Sequence, residues 1–240
     1  MSIEIRASVE LPSKREAITL NTQDGLKLIG ELALPVGREP VATLITLHPL
    51  PTHGGFMDSH VLRKAANRLP ELADLAVLRF NTRGTTSPHG TSEGSFGEGV
   101  TEQHDLEAAL QFAKERNLPN LWLVGWSFGT ELALKYGHDK TIVGAILLSP
   151  PLHRATDSDL LKWSAGNKQL IALVPEHDDY LKPAEAAVRF SLIPQIKLIA
   201  VEGAKHLWVG EDSTSRVLNE IVKAVNPSAY PLPTQWQPSA

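Results

Sequence analysis

The chain has 240 residues, no cysteine, and 23 Lys and Arg against 27 Asp and Glu, a net charge of -4 with histidine neutral. Its length suits one large domain with a substantial core, and its charge, with no basic block to neutralise a run of phosphates, argues against a nucleic-acid partner. The lack of cysteine excludes disulfides, thiolate metal sites and cysteine nucleophiles.

The opening MSIEIRASVELPSKRE alternates polar and apolar residues instead of placing a charged start before an apolar core, so no secretory signal is expected. No apolar run approaches the roughly 20 residues that span a bilayer. These features predict a soluble, cytoplasmic protein with no membrane partner. Strand signals fill the first third: an alternating stretch near 3 to 10, AITLNT at 17 to 22, LKLIGELALP at 26 to 35 and VATLITLH at 41 to 48. Asp24-Gly25 between the second and third marks a tight hairpin turn, and the opening reads as an antiparallel meander.

From residue 41 short apolar runs alternate with helical stretches. The runs are VATLITLH, then 75 to 81, 121 to 126, 142 to 149, 169 to 175 and 196 to 203; helices are expected near 60 to 73, 100 to 117, 128 to 138, 157 to 165, 183 to 191 and 213 to 225. Strands buried on both faces read as continuous apolar runs, and alternation with helices implies right-handed crossovers in a mostly parallel sheet. The expected fold class is α/β, a doubly wound and mostly parallel sheet with an antiparallel N-terminal start. Residues 1 to 240 read as a single domain with a Pro-rich tail over 226 to 240. Tyr230 and Trp236 in that tail pack on the domain surface or on a neighbouring subunit of a homo-oligomer; the sequence leaves both open.

In LWLVGWSFGTELAL an apolar strand runs straight into a helix through Gly125-Trp126-Ser127-Phe128-Gly129. This is G-x-S-x-G in the strand-turn-helix context that gives the motif meaning. A sharp turn lifts the Ser127 hydroxyl above the carboxyl end of the strand, and small residues on either side let the helix pack close. The helix N-terminus aims its dipole and free N–H groups at any negative charge forming there, which makes the Phe128 N–H an oxyanion donor. Read blandly, the glycines serve packing and the serine is an N-cap.

With these residues in view the chain resembles the α/β-hydrolase superfamily from about residue 15 to 225. It looks most like the small capless bacterial hydrolases whose first parallel strand ends in His-Pro-His-Pro, followed by Gly-Gly and Met-Asp. The matching stretch is His48-Pro49-Leu50-Pro51, Gly54-Gly55 and Met57-Asp58, departing at Leu50, where those relatives often carry a second histidine. The resemblance implies an α/β-hydrolase fold and the chain order Ser, Asp or Glu, His. On that order His206, in the loop after the last strand, is the base that activates Ser127, with His177 the rival among nine histidines. The acid is expected in PEHDDYLKP at 175 to 183. Relatives often place it four positions before a proline, which favours Asp179 against Pro183, with Asp178 the adjacent alternative and Glu176 a more distant one.

The stretch LHPLPTHGGFMDSH holds His48, His53 and His60 at gaps of five and seven, neither of which puts two imidazoles on one helix face. A shaped backbone is therefore expected in preference to a metal site, and no cofactor is called for. In relatives the second residue after the strand-end histidine donates its N–H to the oxyanion, which implies Leu50; Pro49 and Pro51 lack an N–H. His48 is expected to bond loop backbone. Only about twenty residues separate 142 to 149 from the next run, too few for a cap domain, so an open mouth is expected, bordered by the 50 to 58 loop, the Gly-rich loop at 84 to 99, and Trp163. Trp126, Phe128 and Trp208 flank the site in sequence. The implied activity is hydrolysis of small acyl esters by a serine carboxylesterase. Thioesterase or aminopeptidase-like chemistry on the same residues is the alternative, the latter with Glu93, Glu98 or Asp58 as an ammonium anchor. A noncatalytic binding protein on the same fold is the alternative from another class.

Overall fold

The computed structural model describes residues 2 to 238. Eight strands build the central sheet: β1 (Lys14–Asn21), β2 (Lys27–Leu34), β3 (Ala42–Leu47), β4 (Leu75–Phe80), β5 (Leu121–Trp126), β6 (Ile142–Leu148), β7 (Gln169–His177) and β8 (Lys197–Lys205). They lie in the order β1-β2-β4-β3-β5-β6-β7-β8. β1 and β4 each pair antiparallel with β2, and all pairs from β4 to β8 are parallel. The helices are α1 (His60–Ala73), α2 (Gln103–Glu115), α3 (Phe128–Tyr136), α4 (Asp157–Ser164), α5 (Pro183–Phe190) and α6 (Glu211–Val225).

The apolar runs form strands because both faces of the sheet are covered. Every residue of β3, β4 and β5 is buried. Along β5 the period-2 alternation divides the side chains: Leu121 and Leu123 meet the core beneath α2 to α5, while Trp122, Val124 and Trp126 meet the one beneath α1 and α6. The hairpin between β1 and β2 turns where expected, with Gly25 at φ +89° and its N–H 3.0 Å from the Thr22 carbonyl.

One reading of the N-terminal third is corrected. The stretch near 3 to 10 contributes only Ile3–Glu4, paired with Gln235–Trp236 of the tail. Ala7 leaves the extended region at φ +50°, with its carbonyl and N–H taken by Arg68 and Glu211. The antiparallel start is the β1–β2 hairpin, as expected, and β3 enters the parallel part. The tail itself packs on this chain, with Trp236 Nε1–H donating to Glu71 at 2.9 Å. Among the described residues no helix is long and apolar enough to cross a membrane.

This order places the site. β3 and β5 are neighbours, yet the chain leaves β3 through α1 on one face and β5 through α3 on the other, opening a crevice at their carboxyl ends. The loops after β7 and β8 reach the same edge.

Candidate active site

Ser127 sits between β5 and α3 at φ +52°, ψ -116°, a left-handed conformation that a non-glycine residue adopts at a cost on the order of 1–3 kcal/mol. Bonds on both sides hold it there: its N–H donates to the Leu148 carbonyl at 2.9 Å, and its carbonyl accepts the Thr130 N–H at 2.8 Å. A Cβ on Gly125 would stand 2.5 Å from the Gly129 carbonyl oxygen, and one on Gly129 would stand 2.0 Å from that of Leu47. The two glycines therefore let α3 approach β5 and β3, and the turn projects the Ser127 hydroxyl from the sheet edge.

His206 Nε2 lies 2.9 Å from Ser127 Oγ. Its Nδ1 lies 2.9 and 3.1 Å from the two carboxylate oxygens of Asp178. An ionised carboxylate only accepts, so Nδ1 carries the proton and Nε2 presents its lone pair to the serine hydroxyl. Burial alone would raise the Asp178 carboxyl; the His206 imidazole and the N–H groups of Tyr180 and Leu181 outweigh it and hold it below the usual carboxylate range. The His206 carbonyl accepts from Trp126 Nε1–H at 3.1 Å and Ser149 Oγ at 3.0 Å, and the adjoining Leu207 carbonyl accepts from His60 at 2.7 Å, so the loop after β8 is tied down.

Asp179 does not take the place expected of it. It is exposed, whereas Asp178 is buried against His206. β7 runs on through His177, so Asp178 is the first residue past the strand, and neighbouring residues of extended chain point opposite ways. The Tyr180 and Leu181 N–H groups then clasp the Asp178 carboxylate. The offset from Pro183 could not sense where the strand ends. Glu176 and His177 are both exposed, and among the described residues the His177 side chain makes only a long 3.8 Å polar contact, with Glu176.

The fold is shared with known proteins. No protein-family model matches the chain. It is 34% identical over 118 residues to an uncharacterized protein of Rickettsia prowazekii, covering 48% of this chain and 46% of that one, so the chain spans about half the length of the curated relative it matches. Among solved structures it is similar to an α/β serine hydrolase without a lid from Xanthomonas campestris, at 28% identity and TM-score 0.71, covering 95% of this chain and 99% of that one. The chain belongs to the α/β-hydrolase superfamily. The fold is shared with an α/β serine hydrolase homologue from Coxiella burnetii (24% identity, TM-score 0.74, 88% and 97% covered) and an esterase from Pyrococcus furiosus (20%, 0.68, 89% and 91%).

In this α/β-hydrolase the segment between β6 and β7 carries only α4, and a cavity of about 290 Å³ opens at Ser127. Pro49, Leu50, Phe128, His206 and Leu207 surround the serine, and Tyr180, His153, Arg154 and Glu131 extend the wall. Among the described residues neither the Leu50 nor the Phe128 N–H has a hydrogen-bond partner. Three aromatic expectations divide. Phe128 lines the cavity, whereas Trp126 and Trp208 are core residues behind the site. Trp163 is buried, donating Nε1–H to the Leu134 carbonyl at 2.9 Å, and does not border the mouth. The sequence reading missed Tyr180, whose ring meets His206 edge to face at 4.6 Å, together with Arg154 and Glu131. Glu131 was findable from the motif, since it lies one helical turn after Ser127; Arg154 and Tyr180 sit in irregular loops that carry no periodic signal.

The three histidines of the loop after β3 diverge. His48 is buried: Nε2 accepts the Thr82 N–H at 3.1 Å, so Nδ1 bears the proton and donates to the Pro49 carbonyl at 2.6 Å. In a trans peptide the N–H opposes the carbonyl, so this bond fixes the direction of the Leu50 N–H. Gly55 completes the turn, since a Cβ there would stand 2.1 Å from the Pro49 oxygen. His53 is exposed at the cavity rim, and His60 packs edge to face on Trp126. Among the described residues no three His, Asp or Glu side chains are grouped to hold a metal.

Burial pushes the His48 imidazole from its ordinary 6.5 down to about 4, with the bond to Pro49 opposing part of that shift. A depressed folded value leaves the unfolded chain binding the extra proton between these limits. His48 burial is thus fully favourable above about pH 6.5 and loses up to about 3 kcal/mol as pH falls to about 4. Urea unfolding between pH 7 and 4.5 is expected to show this loss, reduced in His48→Asn; an identical slope in both proteins would rule the assignment out.

Proposed function

We propose that the protein is a serine hydrolase of small acyl esters, with Ser127 as nucleophile, His206 as general base and acid, and Asp178 as the orienting carboxylate. One observation carries this reading: the unbroken chain from Ser127 Oγ through His206 to Asp178, with Ser127 at the floor of an open cavity. Ser127 Oγ attacks the acyl carbonyl carbon while His206 Nε2 takes its proton, and the oxyanion forms between the Leu50 and Phe128 N–H groups. Each such donor is worth about 3–4 kcal/mol at the transition state. His206 then returns the proton to the departing alkoxide. Water attacks the acyl-enzyme with the same base, releasing the carboxylic acid and restoring Ser127.

The cavity volume of about 290 Å³ favours a small acyl group, and likeness to an esterase from Pyrococcus furiosus supports ester chemistry. An aminopeptidase-like reading lacks its anchor. Asp58 is committed to Arg79 at 2.6 Å and Glu93 to the Lys27 N–H at 2.8 Å; Glu98 does not line the cavity, and Glu131, the one acid among the described residues that does, is committed to Arg154 and Ala155.

A fluorophosphonate probe is expected to label the folded protein at Ser127, and a panel of p-nitrophenyl acyl esters to be cleaved in preference to aminoacyl amides. No labelling would favour a noncatalytic binding protein, and preference for the amides would overturn the ester assignment.

A further inference from the structure

We propose that Arg154 is an anion anchor in the cavity and that the substrate is an ester bearing a carboxylate. This rests on the serine hydrolase reading and narrows its substrate class.

Glu131 lies one turn of α3 below Ser127 and is fully buried. Its oxygens accept the Arg154 N–H, the Ala155 N–H at 3.4 Å and Arg154 Nη1 at 3.4 Å. Among the described residues it is the only acid of the cavity wall, and these bonds commit it to holding the segment at 153 to 155 against α3. The guanidinium it positions lies 5.4 Å from the centre of the Phe128 ring, on the residue next to the nucleophile.

That guanidinium is incompletely used. Nε donates to the Glu98 carbonyl at 3.2 Å, and Nη1 reaches Glu131. Nη2 has no hydrogen-bond acceptor among the described residues; its nearest carboxylate, Glu98, stands 3.8 Å away on a side chain 78% exposed, while that of Arg154 is 27% exposed. A planar guanidinium with free N–H groups, stacked on an aromatic ring at the cavity wall, suits a carboxylate. The N-terminus of α3 adds positive potential from the same side. The other titratable groups lining the cavity are His53, His153, His206 and the Tyr180 phenol. Among the described residues no lining carboxylate is free to repel an anion.

The test compares kcat/KM for three substrates: mono-p-nitrophenyl glutarate, with its carboxylate on the acyl chain; 4-(butyryloxy)benzoate, with its carboxylate on the leaving group; and neutral p-nitrophenyl pentanoate. One anionic substrate is expected to show its kcat/KM depend on Arg154, and which of the two does so locates the carboxylate. That dependence is a fall in kcat/KM of about tenfold or more relative to the neutral ester in Arg154→Gln, with part retained in Arg154→Lys. Glu98→Gln, which removes the exposed competitor without touching the buried pair, is expected to move the ratio the opposite way and remains readable if the Arg154 variants do not fold. High salt should lower the wild-type ratio. If Ser127 is labelled by the fluorophosphonate but the ratios of both anionic substrates are unmoved by Arg154→Gln or by Glu98→Gln, the anchor is overturned and the serine hydrolase stands. If wild type is neither labelled nor cleaves any of the three, both readings fall.

Discussion

Replacing Ser127 with alanine is expected to lower kcat for ester hydrolysis by about 10⁴-fold or more and to abolish fluorophosphonate labelling. The size of the effect follows from what remains. His206 and Asp178 keep their bond, and the Leu50 and Phe128 N–H groups stay in place, but no atom is left to form the acyl-enzyme. Residual activity would come from water attacking a bound ester beside the oxyanion donors. The fold should survive, because the backbone bonds of Ser127 to Leu148 and Thr130 do not involve its side chain. Turnover within tenfold of wild type, after a contaminating esterase is excluded by immunodepletion, would remove Ser127 from the mechanism.

The second large effect separates two adjacent aspartates. Asp178→Asn is expected to cost about 10⁴-fold in kcat, because an amide can donate to Nδ1 and favour the tautomer that puts the proton on Nε2, where it cannot accept from Ser127. Asp179→Asn is expected to leave kcat/KM near wild type, since that side chain is exposed and makes no contact with His206. Asp178 also accepts the Tyr180 N–H at 2.9 Å, so the stability of the asparagine variant should be measured beside its kinetics. Equal losses at the two positions, or a larger one at Asp179, would reverse the assignment made from the hydrogen bonds.

Much of the molecule was legible in one dimension because its signals are local. Runs such as LWLVGW are apolar throughout since both faces of the sheet are covered, and all six helices fall close to their predicted spans. G-x-S-x-G was readable for a similar reason: two Cβ atoms would collide with backbone at 2.5 and 2.0 Å, so the chain must carry glycine on both sides of Ser127. The order Ser, acid, His, which the resemblance implies, pointed to His206 and to the loop whose Asp178 bonds it.

What the sequence by itself determined, then, is the alternating α/β architecture, the strained serine turn, and the loops that converge on it. Tertiary structure decided which single side chain in each loop arrives. Asp178 and Asp179 have the same chemistry and differ by one step along extended chain, so only the point where β7 ends and the Tyr180 and Leu181 N–H groups begin tells them apart. Trp163 and Trp208 have the composition of pocket walls and became core because helices and sheet closed over them. Arg154 faces the cavity because a buried glutamate one turn below Ser127 grips its backbone across 23 residues of sequence. Contacts of that kind join positions with no shared period or motif, and they exist only once the sheet has brought its carboxyl edge together.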